Sequence, residues 1–176
     1  NGNTIVTGTY FFTIDMNRVF TDIFTRKYNA EGDTLFTRYY NGPGSTSLYF
    51  NRMIIDASGN AYTAASTIRN NAKSLSLTKL DTEGELVWEV YIDSPFTNAG
   101  KYNARLLLDN QNSLYCLNEV SRYTENYLSI ITNTQVCKIS SDGNLLWSKE
   151  ITPVPQQHNN NLGNIAFGGD EKYEVY

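Results

Sequence analysis

Three acidic side chains, Asp81, Glu83 and Glu85, alternate along the stretch Asp81-Thr82-Glu83-Gly84-Glu85. Calcium takes several oxygen ligands from one loop, so these carboxylates are the weak candidates for a calcium site. No further acid completes a recognised calcium loop, and turn formation with solubility is the simpler use of the same residues. Paired carboxylates also serve glycoside hydrolysis, where separation in space sets the chemistry. Glu31, Asp33 and Asp142 add to the supply of acids, but spacing along the chain fixes no such separation. The one histidine, His158, stands in Pro155-Gln156-Gln157-His158-Asn159-Asn160-Asn161. A base needs a nucleophile and an orienting acid, and no Gly-x-Ser-x-Gly elbow accompanies it. It reads as a solvated loop residue. No phosphate-cradling glycine loop is present, and no catalytic or cofactor-binding residue is assigned.

Two cysteines, Cys116 and Cys137, are too few for a cysteine-based zinc site. They fall on strands expected to be neighbours. Two readings stay open: buried free thiols acting as small hydrophobes, and a disulfide, which an oxidising compartment would favour. Lys27, Lys79 and Lys138 recur one residue before an apolar position, and are read as stems packed along the protein with the ammonium in water. Aromatics sit beside amides in Tyr10-Phe11-Phe12, in Tyr39-Tyr40-Asn41, in Phe96-Thr97-Asn98 and from Tyr123 to Tyr127, all expected in loops. Such pairs build core and loop packing, or a surface for a protein or carbohydrate partner. Tyr39, Tyr40, Phe96, Tyr123 and Tyr127 are the candidates for that surface.

The elements that position these residues come from two alternating phrases. One is Lys27-Tyr28-Asn29-Ala30-Glu31-Gly32-Asp33-Thr34-Leu35-Phe36, which returns as Lys79-Leu80-Asp81-Thr82-Glu83-Gly84-Glu85-Leu86-Val87-Trp88 and as Lys138-Ile139-Ser140-Ser141-Asp142-Gly143-Asn144-Leu145-Leu146-Trp147. The other is Asp56-Ala57-Ser58-Gly59-Asn60-Ala61-Tyr62, which returns as Asp109-Asn110-Gln111-Asn112-Ser113-Leu114-Tyr115. Both are tight-turn chemistry, because Gly and Asn tolerate the positive φ of short hairpins. The first-phrase glycines, Gly32, Gly84 and Gly143, are 52 and 59 residues apart, so each period holds two hairpins, or four strands. Strands are expected near 49–56, 61–67, 74–81 and 86–92, then 102–109, 113–120, 134–140 and 144–151. Polar loops are expected at 67–73, 121–133 and 155–163.

A four-stranded sheet repeated about every 55 residues is the sequence form of a β-propeller blade. The expected fold is all-β: a propeller segment of about three four-stranded antiparallel blades, part of a larger propeller. Blade 1 covers approximately 1–40 and lacks its first strand. Blade 2 covers 49–92, blade 3 covers 102–151, and a fourth starts at 162–176. Phe36, Trp88 and Trp147 should fill equivalent positions between blades. Three blades leave open edges, so further blades are expected from the same longer chain or from another chain.

Composition agrees. The 176 residues include 13 Tyr, 8 Phe and only 4 Pro, a bias that suits pleated, packed surfaces. A net charge of −4 without a basic stripe argues against nucleic acid. No apolar run approaches a membrane span. The chain starts at Asn1 without a signal peptide, which suggests processing or a piece of something longer.

Together the phrases resemble the SBBP-type bacterial β-propeller repeat. Asp56, Gly59, Asn60 and Tyr62, followed by Lys79, Leu80, Asp81, Gly84 and Trp88, carry the resemblance, and Thr-Ile-Val-Thr-Gly-Thr at 4–9 looks like its glycine-ending second strand. The pattern departs at Asn112-Ser113, where Gly-Asn is expected, and at Phe36, where Trp is expected. The resemblance implies an exported bacterial protein, extracellular, at the cell surface or periplasmic, of a style found in type 9 secretion. It implies a non-enzymatic binding or structural scaffold such as an adhesin, a surface-assembly component or a secretion cargo. The turn Leu80-Asp81-Thr82-Glu83-Gly84-Glu85-Leu86-Val87-Trp88 is also similar to the repeat of quinoprotein propellers, which keeps open a fragment of a propeller enzyme, either a quinoprotein-like oxidoreductase or a glycan-processing enzyme.

Overall fold

An Asp, Asn or Ser opening a turn, with Gly three residues later, favours a three-residue hairpin loop closed by a left-handed residue. The computed structural model, which describes residues 2–15, 18–40, 45–69, 72–93, 99–123 and 130–151, uses this device five times among those residues. At 29–33, 56–60, 81–85, 109–113 and 140–144 the first N–H donates to the fifth carbonyl and the fourth N–H donates back to the first carbonyl. Gly32, Gly59, Gly84 and Gly143 take positive φ at the fourth position, and Asn112 takes it at φ 58°. The departure at Asn112-Ser113 therefore leaves the turn intact, because Asn tolerates this conformation. The two phrases, different as sequences, build one turn.

The opening side chain locks each loop. Asp56 Oδ1 accepts the N–H groups of Ser58 and Asn60 at 2.9 Å each. Asp81 Oδ1 accepts those of Glu83 and Glu85 at 2.9 Å each. Asp109 Oδ1 accepts those of Gln111 and Ser113 at 3.0 and 2.8 Å. Asn29 and Ser140 each accept the N–H of the fifth turn residue.

Between the turns run eleven described strands: β1 (Thr4–Asp15), β2 (Arg18–Tyr28), β3 (Thr34–Tyr40), β4 (Ser45–Ile55), β5 (Ala61–Arg69), β6 (Ala72–Leu80), β7 (Leu86–Asp93), β8 (Ala99–Leu108), β9 (Leu114–Tyr123), β10 (Ile130–Ile139) and β11 (Leu145–Ile151). They form three sheets in the orders β1-β2-β3, β4-β5-β6-β7 and β11-β10-β9-β8, and all neighbours pair antiparallel. The protein is all-β, with no helix among the described residues.

Two expectations need correction. The polar stretches at 67–73 and 121–133 are largely strand: β5 pairs with β6 out to Arg69↔Ala72, and β9 with β10 out to Tyr123↔Ile130. Thr, Ser and Asn do not stop a strand whose backbone partner is already set by the hairpin register. For the same reason the aromatics expected in loops are on strands: Tyr10, Phe11 and Phe12 belong to β1, Tyr39 and Tyr40 to β3, and Tyr123 closes β9. The stretch at 155–163 and the start of a fourth blade at 162–176 lie outside the described residues.

The chain divides into two compact units, Asn1–Asp93 and Ser94–Tyr176. In the first, sheet β1–β3 packs on sheet β4–β7, chiefly through β2 and β1 against β4. Ile23, Leu48 and Ala65 form a buried cluster there, with Tyr40 against it. In the second, Leu114, Cys116, Leu117, Val120, Val136, Cys137 and Ile139 are buried.

Candidate functional site

The acids nominated for a metal are engaged elsewhere. The Asp81 carboxylate holds its own turn. Glu85 pairs with Arg38 at 2.8 Å across to the neighbouring sheet. Glu83 accepts a long hydrogen bond of 3.5 Å from Thr82 Oγ1. No group of three or more His, Cys, Asp and Glu side chains comes together among the described residues. His158 lies outside them.

The buried acids are the openers of the second phrase. Burial works to raise the Asp56 pKa, but the Asn60 amide and the N–H groups of Asn60 and Ser58 outweigh it and hold the carboxyl below the ordinary carboxylate range. Asp109 follows the same logic, with burial outweighed by the Ser113 N–H, the Lys138 ammonium and the Gln111 N–H. Tyr62, fully buried, points its hydroxyl at Asp56 Oδ2 3.3 Å away, and burial followed by that negative charge pushes its pKa up to about 12.

The recurring lysines and aromatics form a second structural set. Lys27 pairs with Phe36 across β2–β3, Lys79 with Trp88 across β6–β7, and Lys138 with Trp147 across β10–β11. Trp88 meets Tyr62 edge-on, and Trp147 meets Tyr115 in the same way. Lys79 and Lys138 sit over the rings of those tyrosines at 5.3 and 4.7 Å, and Lys27 over Phe36 at 5.9 Å. The ammonium groups therefore lie against rings while the three lysines stay part-exposed. Lys27 Nζ also donates to the Thr82 carbonyl at 2.8 Å, and Lys138 lies 3.3 Å from Asp109.

Within the first unit these side chains make a seam. Phe36 lies on the β6–β7 turn so closely that a Cβ at Gly84 would stand 2.5 Å from its ring. Arg38 pairs with Glu85, and the Tyr40 hydroxyl donates to Glu89. Burial first, and then Glu89, raises the Tyr40 pKa. A cavity of about 170 Å³ remains between the sheets, lined by Ile23, Thr25, Tyr40, Thr63 and Thr78 among others. Arg38 and Glu89 were not singled out from sequence. Arg38 stands two residues after Phe36, on the same strand face, which is the signal that was available.

Two pairs of exposed aromatic side chains lie on opposite faces of sheet β1–β3. Tyr10, Phe11, Tyr39 and Tyr49 are 46, 61, 57 and 47% exposed. Tyr10 meets Tyr39 edge-on at 5.3 Å, and Phe11 meets Tyr49 at 6.4 Å. Phe12 extends the first pair toward Phe20, with ring centroids 6.0 and 5.8 Å apart. The structure thus brings Tyr39 to an exposed aromatic pair and turns Tyr40 inward to the seam. Phe96 and Tyr127 lie outside the described residues, as does the side chain of Tyr123. Tyr49 was missed because it falls inside an ordinary strand pattern. Its partnership with Phe11 exists only through the packing of β4 on β1.

No protein-family model matches the chain, and no curated protein matches it.

Proposed function

We propose that this chain is a β-propeller segment that serves as a non-enzymatic binding scaffold in an exported or cell-surface bacterial protein. An adhesin, a surface-assembly component or a type 9 secretion cargo is the kind of protein it would belong to. Three sheets of one construction support the propeller reading, together with the seam where Lys27, Phe36 and Arg38 of one repeat meet the Thr82–Gly84–Glu85 turn of the next. The recurring acids and lysines spend their charge on turns and seams, which supports a scaffold.

The observation that carries a binding role is the exposed pair Tyr10 and Tyr39, on the face of sheet β1–β3 turned away from β4. Rings of this size with polar tips supply contact area and hydrogen bonds to a carbohydrate or protein partner. The test is to immobilise the chain and pass over it a panel of glycans and cell-surface proteins, beside the variant Y10S/Y39S. The expected result is a ligand from the panel that binds the variant at least about tenfold more weakly, the loss of one or more contacts worth about 1.4 kcal/mol. Equal binding by the variant, or no ligand from either class, would sink the reading.

A further inference from the structure

Cys116 on β9 and Cys137 on β10 face each other as direct partners in the antiparallel ladder. Both are buried and reduced. Directly opposed residues in such a ladder have Cα atoms about 4.5–5.5 Å apart. A disulfide spans Cα separations of about 4.4–6.8 Å, so either kind of opposed pair falls inside its range.

The repeat supplies an independent gauge of the side chains. Tyr62 pairs with Lys79 in the second sheet, and Tyr115 pairs with Lys138 in the third. The next pair along each ladder is Thr63 with Thr78 in one and Cys116 with Cys137 in the other. Thr63 and Thr78 place their Oγ1 atoms 2.5 Å apart. This position of the repeat therefore drives the γ atoms of facing side chains into contact. With sulfur in place of oxygen, the same approach leaves little movement to an S–S bond of about 2.05 Å.

We propose that Cys116 and Cys137 form a cross-strand disulfide in oxidising surroundings, closing the β9–β10 hairpin around residues 117–136. With a small-molecule disulfide as oxidant, one protein thiolate attacks a reagent sulfur and releases one reagent thiol. The second protein thiolate then attacks the protein sulfur of the mixed disulfide and releases the other. The two protein thiols lose two electrons and two protons, and the reagent disulfide takes them up as two thiols.

Burial sets the route. The interaction with Cys137, with burial added, holds the Cys116 thiol's pKa up, so the folded hairpin offers little thiolate to a reagent. The bond forms while the hairpin is folding or open, and once made it is sheltered from reductant. It constrains the unfolded chain and so raises stability.

The test is to refold the whole chain from urea in a glutathione and glutathione-disulfide buffer. The expected product is a species lighter by two hydrogens, with no thiol titrating in denaturant and a proteolytic peptide pair joined through Cys116 and Cys137. Its urea midpoint should exceed that of the reduced chain. The variant C116T/C137T, which installs the hydroxyl pair of the second sheet, should fold and show no response of its midpoint to oxidant. Two titratable thiols after oxidative refolding, glutathione adducts in place of the internal bond, or a lowered midpoint on bond formation would each overturn the proposal. So would a variant whose midpoint shifts with oxidant as the native chain's does.

Discussion

Asp56 and Asp109 show how a single side chain can fix a hairpin. Each carboxylate accepts two backbone N–H groups of its own turn and is nearly buried while doing so. Their folded pKa values lie below those of the unfolded chain, near 3.9 for Asp. The stability they contribute is therefore present above about pH 4 and is lost as pH falls through the lowered folded values. Urea midpoints measured from pH 7 to pH 2 should drop below about pH 4. The variant D56N/D109N keeps acceptors at both turns but no charge. It should be less stable at pH 7 by about 1–3 kcal/mol, from weakened charge-assisted bonds, and should show a shallower acid limb. An unchanged limb would remove these two carboxylates from the account. The residue pattern Asp-x-x-Gly was legible in the sequence, and so was the turn. The engagement of Asp81 by its own backbone was not, because a ligand and a cap call for the same residue type at the same place.

At the scale of elements, the β6–β7 turn both closes a hairpin and seats a ring from the neighbouring sheet. Gly84 and Gly32 occupy the same turn position, with φ of 79° and 91°. A Cβ at Gly32 meets no described atom within 4 Å, whereas at Gly84 it would strike Phe36. Gly32→Ala should cost only the left-handed conformation, about 1–2 kcal/mol. Gly84→Ala should cost that plus overpacking of a further ~1–3 kcal/mol. Combining Gly84→Ala with Phe36→Ala should give a loss smaller than the sum of the two singles, since the clash needs both groups. Equal costs for the two glycines would mean that Phe36 does not rest on this turn in solution. Arg38→Ala should change stability by less than about 1 kcal/mol, because the Arg38–Glu85 pair is 43% and 65% exposed. The hairpins were readable from turn residues and alternation. The strand ends were not, because Thr, Ser and Asn serve equally in a loop and in a paired strand.

For the molecule as a whole, β11 lies at the edge of its sheet and carries exposed Leu145, Leu146, Trp147 and Ile151. An apolar edge strand pairs readily with another chain. The chain should therefore associate as its concentration rises, with sedimentation showing species above the monomer mass, and L146K/I151K should shift the distribution toward monomer. A native chain that stays monomeric at tens of micromolar would count against this. The sequence by itself determined the all-β class, the turn positions and the repeat, since local turn chemistry and period-2 alternation act within a few residues. Which side chains meet was decided by tertiary structure alone. Sheet register set Cys116 opposite Cys137, and sheet packing put Phe36 on Gly84 and Tyr49 beside Phe11. The last two contacts join strands whose partnership no local pattern encodes, because they depend on how one sheet's face lies on the next.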